Sequence, residues 1–162
     1  MSIVSRIAAT ATLLAVSGLF VADRADGQSR RALQVFSTEP LTIESASGER
    51  QFTVEVARSP GQHAQGLMFR RRLAADAGML FVYRRVEPVA MWMQNTFIPL
   101  DMLFIGADRR IAHIVERTVP LSTETIESIK PASSVLELNA GTVSRLGIKP
   151  GDVVVSPALG RK

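Results

Sequence analysis

Three charged side chains stand beside residues that belong in a core. Arg70 follows Leu67-Met68-Phe69, Asp101 lies between Leu100 and Met102, and Glu137 lies between Leu136 and Leu138. A buried ion without a partner is costly, so groups in such places pair. One arginine and two carboxylates can close into an internal network joining a helix end to two strands. The same three can instead line a pocket, where the arginine binds a carboxylate or sugar hydroxyls and the acids accept hydrogen bonds from a ligand. Two carboxylates also suffice for acid–base work. Asp101 and Glu137 are therefore the candidates for a small hydrolase or lyase, with glycoside cleavage the simplest case.

Trp92, the only tryptophan, is followed closely by Asn95 and Thr96. An indole ring stacks on a sugar face while amides and hydroxyls fix its polar groups. The alternative is a core tryptophan beside a turn, in which Asn and Thr bond the nearby backbone. Five thioethers, Met68, Met79, Met91, Met93 and Met102, crowd the same region. In a regular strand Met91 and Met93 share a face. With His63 or His113 they form a soft donor set suited to Cu(I), on which Trp92 can stack. Methionine also simply fills irregular core gaps. Cysteine is absent, which removes disulfides, thiol nucleophiles and thiolate metal sites. No phosphate loop, zinc motif or calcium loop is present, Ser122 and Ser133-Ser134 have no histidine beside them, and no cofactor is called for.

The stretch from Met91 to Ile105 organises these groups. It reads as two apolar strands, Val89 to Met93 and Met102 to Ile105, joined by a connection at Thr96 to Leu100. Upstream, short strands are expected at Leu33 to Phe36, ended by Pro40, at Leu41 to Glu44, and at Phe52 to Ala57, where Phe52, Val54 and Val56 alternate inward. Ser59-Pro60 starts a helix that frays at Arg70 to Arg72, and Gly66 inside it predicts a close passage of another backbone. Gly78 to Tyr83 is a buried strand. Downstream lie a strand over 110–116, an irregular segment over 117–132 that is long for a connection, and a strand over 134–139. A short helix over 140–146 capped by Gly147 and a last strand at Val153 to Val155 complete the chain. The pattern predicts a mainly β domain, a compact antiparallel sandwich or barrel-like unit of about eight or nine short strands with two short helices.

The 162 residues allow one domain. Residues 1–27 read as a secretory signal peptide: Arg6, an apolar run from Ile7 to Ala22, then Ala25-Asp26-Gly27. Residues 28–40 form a linker and first strand, 41–157 the β domain, and 158–162 a tail. The expected location is periplasmic or secreted, away from ATP and reduced nicotinamides. The net charge of +4 comes from scattered arginines, with no stacking platform or basic stripe, so nucleic acid is not an expected partner. No membrane contact is expected after cleavage, and the chain is expected to be a monomer.

Several strings resemble the DUF192 (UPF0127) family, small and often exported domains of bacteria and archaea. They are Gly66-Leu67-Met68-Phe69-Arg70, Gly78-Met79-Leu80-Phe81, the long Trp92-Met93-Gln94-Asn95-Thr96-Phe97-Ile98-Pro99-Leu100-Asp101, Leu136 to Gly141, and Gly147-Ile148 with Gly151-Asp152. Gln94 stands where that family usually has lysine, and Ser134 where it usually has an aromatic. The resemblance implies a compact β-rich domain and no activity.

The residues together predict an exported, non-enzymatic binding module for a small polar or carbohydrate-like ligand or an envelope component. Its expected site lies near the 92–101 connection, formed by Arg70, Trp92, Asn95, Thr96, Asp101 and Glu137. The alternatives are a hydrolase or lyase using Asp101 and Glu137, and a Cu(I) carrier using Met91, Met93 and His63.

Overall fold

The computed structural model describes residues 33–160; the expected signal peptide lies outside them. Among these residues nine strands and two short helices follow one another in a mainly β arrangement. β1 (Ser37–Ser45) and β2 (Gly48–Ala57) form a hairpin across the turn at 46–47. β1 runs straight through Pro40, where a break was expected, and residues 33–36 are irregular. The later strand on the far side of β1 covers only Thr42 to Glu44, so at Pro40 β1 is an edge. There a missing N–H is tolerated.

α1 (Pro60–Gln65) is held by a reciprocal cap: Ser59 Oγ accepts from Gln62 N, and Gln62 Oε1 accepts from Ser59 N. It stops five residues before Arg70. Gly66 ends it with φ +48°, and a Cβ there would stand 2.9 Å from Cζ of Phe81. The close neighbour is thus a ring rather than another backbone. α1 carries the chain from β2 to β3 (Ala77–Glu87), and these two strands are parallel. β4 is the pair Ala90–Met91, and β5 is Leu100–Ile105. The expected strand over 89–93 therefore shrinks to two residues. β6 (Ile111–Val115), β7 (Ile126–Glu127), β8 (Ala132–Asn139), α2 (Thr142–Leu146) and β9 (Val153–Val155) complete the order.

Seven strands make one sheet in the order β6-β5-β8-β3-β2-β1-β9, and β4 pairs with β7 in a separate ribbon. Apart from β2 with β3, every pairing is antiparallel. The sheet curls until its edges meet, with Ile111 N donating to Asp152 O at 2.9 Å and Val154 N to Arg109 O at 2.8 Å. This is a half-barrel. One core packs on the face that closes on itself, drawing Leu103, Ile105, Ile111, Leu136, Leu138 and Val154 from strands at both edges. The second core lies on the opposite face, where Met79, Phe81, Met102, Phe104 and Val135 are covered by Leu67, Val89 and Met93 from the connections. β5 is buried on both faces for that reason, which explains its unbroken apolar run around Asp101.

The 117–132 segment is tied to the rest of the fold at several points. The Thr118 hydroxyl donates to Leu100 O and accepts from Leu100 N, and Ser128 Oγ accepts from Val89 N. It holds β7 against β4 and covers the second core. At the start of the expected 158–162 tail, Ala158 N donates to Glu39 Oε1 at 2.8 Å, and Ala158 and Leu159 pack on the enclosed core.

Candidate functional site

Strand parity decides where each charged group points. Residues opposite one another on paired strands share a face, and neighbours along a strand alternate. Glu137 on β8 stands opposite Met79 of β3 and Met102 of β5, while Asp101 stands opposite Leu138. Asp101 and Glu137 therefore project to opposite faces of the sheet and cannot act on one substrate. This corrects the two-carboxylate expectation.

Asp101 is a structural brace. It is fully buried, and its carboxylate accepts from the backbone N–H of Arg117 at 2.9 Å, Gly141 at 3.0 Å and Val143 at 2.9 Å. It thereby fixes the end of β6 and the start of α2. Arg70 is also removed from the expected site. Its guanidinium grips both oxygens of Glu55 at 2.6 Å, in a partly exposed pair. The anticipated network of Arg70, Asp101 and Glu137 does not form.

Glu137 opens onto a cleft of about 300 Å³ on the loop-covered face. α1 and the turn after it supply His63 and Met68, β3 supplies Phe81 and Tyr83, β4 and its continuation supply Met91 and Trp92, and Thr96 closes one side. Glu137 is 4% exposed. Burial pushes its carboxyl up to about 8 and is the whole cause of the shift: no described cation or donor relieves it. Burial first, then the carboxylates of Glu137 and Glu87, raise the Tyr83 hydroxyl above its ordinary range. It stays protonated and lies 3.4 Å from the Met91 sulfur, to which it donates.

The His63 ring packs at a tilt beside Tyr83, with ring centres 4.9 Å apart, and beside Phe81 at 6.0 Å. Its Nε2 lies 3.0 Å from Ala57 O. A carbonyl only accepts, so Nε2 carries a hydrogen, and in the neutral tautomer Nδ1 is the acceptor. Trp92 stands half open at the mouth, 54% exposed. Among the described residues, neither lysine nor arginine lines the cleft.

Of the expected ligand-binding residues, Trp92, Thr96 and Glu137 line this cleft, while Arg70, Asn95 and Asp101 do not. Asn95 sits outside on an exposed turn with φ +57°, its amide 3.9 Å from the Met68 sulfur. The expected copper set changes too. Met93 is sealed in the core, its sulfur 3.1 Å from the Thr118 hydroxyl oxygen, because the chain leaves the strand after Met91. Met68, Met91 and His63 are the soft donors that share the cleft, and His113 stacks on Phe104 elsewhere. Among the described residues no group of three or more histidines and carboxylates is placed to hold a metal ion. Tyr83 and Phe81 were not anticipated as site residues. They share a face with Glu137 only through the β3–β8 register, a long-range pairing with no local signature.

The fold recurs in solved structures. A protein from Sinorhizobium meliloti 1021, provisionally described as a transcription regulator, is 48% identical, with a TM-score of 0.75 over 78% of this chain and 98% of that one. A protein of unknown function from Novosphingobium aromaticivorans DSM 12444 is 40% identical, with a TM-score of 0.74 over 76% of this chain and 89% of that one. No curated protein matches. The profile of DUF192, described as an uncharacterised ACR, matches residues 42–156, and the chain belongs to that family.

Proposed function

We propose that this protein is a small binding module whose ligand site is the cleft floored by Glu137. The observation that carries the reading is the carboxyl itself. It is buried, it has no partner among the described residues, and it faces open space between aromatic and thioether walls. Folding alone gives no reason to keep an unpaired acid there, whereas a ligand that reaches it does. The ligand is small and has both an apolar part and a polar group. With Asp101 on the other face of the sheet, a two-carboxylate hydrolase has no support. The apolar run over 7–22 and the small residues at 25–27 make export the second half of the proposal, with the module working in the periplasm or outside the cell as a monomer.

A second reading rests on Met68, Met91 and the free Nδ1 of His63 in the same cleft beside Trp92. These are donors for Cu(I). One screen separates the two. The melting temperature of the protein is followed with cell-wall fragments, oligosaccharides, small amines and carboxylates, and Cu(I) under reducing conditions. A ligand at about 100 times its Kd adds about 2.7 kcal/mol to the folded state. An organic ligand whose shift is lost in Glu137→Gln supports the module. A Cu(I) shift lost in Met91→Leu supports the carrier, and the absence of any shift overturns both.

A further inference from the structure

The chemistry of the cleft narrows its ligand class, taking the binding reading as its premise. We infer that the cleft selects a small organic cation, with an ammonium head against the Glu137 carboxylate and an apolar body on the ring of Trp92.

The groups that face Glu137 have one electrical character. From α1 comes His63, whose Nε2 hydrogen is committed to Ala57 O. From β3 come Tyr83, protonated, and Glu87, whose charge is felt at Tyr83. From β2 comes Glu55, already neutralised by Arg70. β5 offers only Met102 opposite Glu137. No described cation lines the space, so an anionic ligand would meet a carboxylate and no counter-charge. A sugar needs several hydrogen-bonding groups, yet the Tyr83 hydroxyl is directed to Met91 Sδ and the Thr96 hydroxyl to Gln94 O. A cation needs only the carboxylate and the faces of rings. Phe81, Tyr83, His63 and Trp92 supply the faces, and ring quadrupoles attract an ammonium group. The sulfurs of Met68 and Met91 add polarisable surface.

Glu137 must be ionised to hold such a ligand. Burial keeps the free carboxyl protonated up to about pH 8. An alkylammonium stays charged to about pH 10. Binding below pH 8 therefore expels a proton, and affinity falls about tenfold for each pH unit lost.

The test uses the full protein and three probes with one skeleton: cyclohexylmethylamine, cyclohexylmethanol and cyclohexanecarboxylate. The chain has a single tryptophan, and it stands at the cleft mouth, so its fluorescence reports occupancy directly. The amine is expected to bind at least tenfold more tightly than the alcohol at pH 8, and about tenfold more tightly at pH 7 than at pH 6. In Glu137→Gln, which should fold at least as well, the amine loses its advantage and its pH dependence while the alcohol is unaffected. Equal binding of amine and alcohol, or tightest binding of the carboxylate, overturns the cation and leaves the binding module standing. If none of the three moves the Trp92 emission at any pH, and the wider melting screen is also silent, both readings fall.

Discussion

Glu137→Gln should stabilise this protein, and the gain should depend on pH. Burial lifts the carboxyl from 4.5 to about 8. The folded-state value is the higher one, so folding favours the protonated acid. Below pH 4.5 both states are protonated and the group adds no pH-dependent cost. Between 4.5 and 8 the unfolded chain ionises while the folded one does not, and stability drops by about 1.4 kcal/mol per pH unit. At pH 7 the accumulated cost is about 3 kcal/mol, and above pH 8 it levels off near about 5 kcal/mol. Glutamine keeps the shape and has no proton to lose, so the variant removes this dependence. For a domain of this size the difference at pH 7 corresponds to about 10 °C in melting temperature. Urea unfolding of both proteins at each pH from 5 to 9 measures it. The difference between them should be small at pH 5, widen through pH 8 and then flatten. Parallel curves across that range, or a variant less stable than the parent at pH 8, would refute the account of Glu137 as a buried, unrelieved acid. A gain of this kind would also identify Glu137 as a residue whose presence works against stability, as functional groups commonly do.

Three further changes probe the scaffold. Asp101→Asn turns one acceptor oxygen into a donor facing a backbone N–H and should cost about 3 kcal/mol, read as a lower urea midpoint with an unchanged m-value. Gly66→Ala places a methyl group 2.9 Å from Phe81 Cζ at a φ of +48°; a loss of about 1–3 kcal/mol in thermal melting is expected. Ser134→Ala removes a buried hydroxyl that has no partner among the described residues and should raise stability by about 1 kcal/mol in the same assay.

The fold class was legible because its signal is local. Alternation over Phe52 to Ala57, the uncharged run at Gly78 to Tyr83 and the helix start at Ser59-Pro60 each announce their element within a few positions. Trp92, singled out by type and neighbours, does line the cleft. The placement of the acids was not legible, since it depends on register. Shifting β5 against β8 by one residue would put Asp101 on the face of Glu137, and nothing in either strand's own sequence fixes that shift. The three partners of Asp101 lie 16, 40 and 42 positions away, and all three are backbone N–H groups, which every sequence supplies equally. A brace and a ligand site therefore look alike in the string Leu100-Asp101-Met102. Arg70 misled for a related reason. Its partner Glu55 sits on the polar side of a half-buried strand, where a solvated carboxylate is the ordinary expectation.

Backbone conformation in the connections around the cleft escaped the sequence altogether. Phe69, Asn95 and Leu121 have φ of +67°, +57° and +63°. This region costs an L-residue about 1–2 kcal/mol, and bulky side chains rarely enter it. The three lie on separate connections tied to one another: Phe69 N donates to Asn95 O, Leu121 N to Thr96 O, and Met93 N to Ser122 O. Phe69 is 53% and Leu121 55% exposed, so burial of their own side chains does not offset the strain. What the strained positions secure is the mutual fit of the connections that present Met68, Trp92 and Thr96 to the cleft. Strain held by the surrounding fold in this way concentrates at binding sites. For the ligand proposed above, a wall fixed in advance would spare the complex the entropy of ordering it. The same reasoning separates the two classes of residue found here. Asp101 and the Thr118 hydroxyl satisfy their hydrogen bonds inside the fold and shape the frame, whereas Glu137, at the base of that preformed wall, leaves its own unsatisfied.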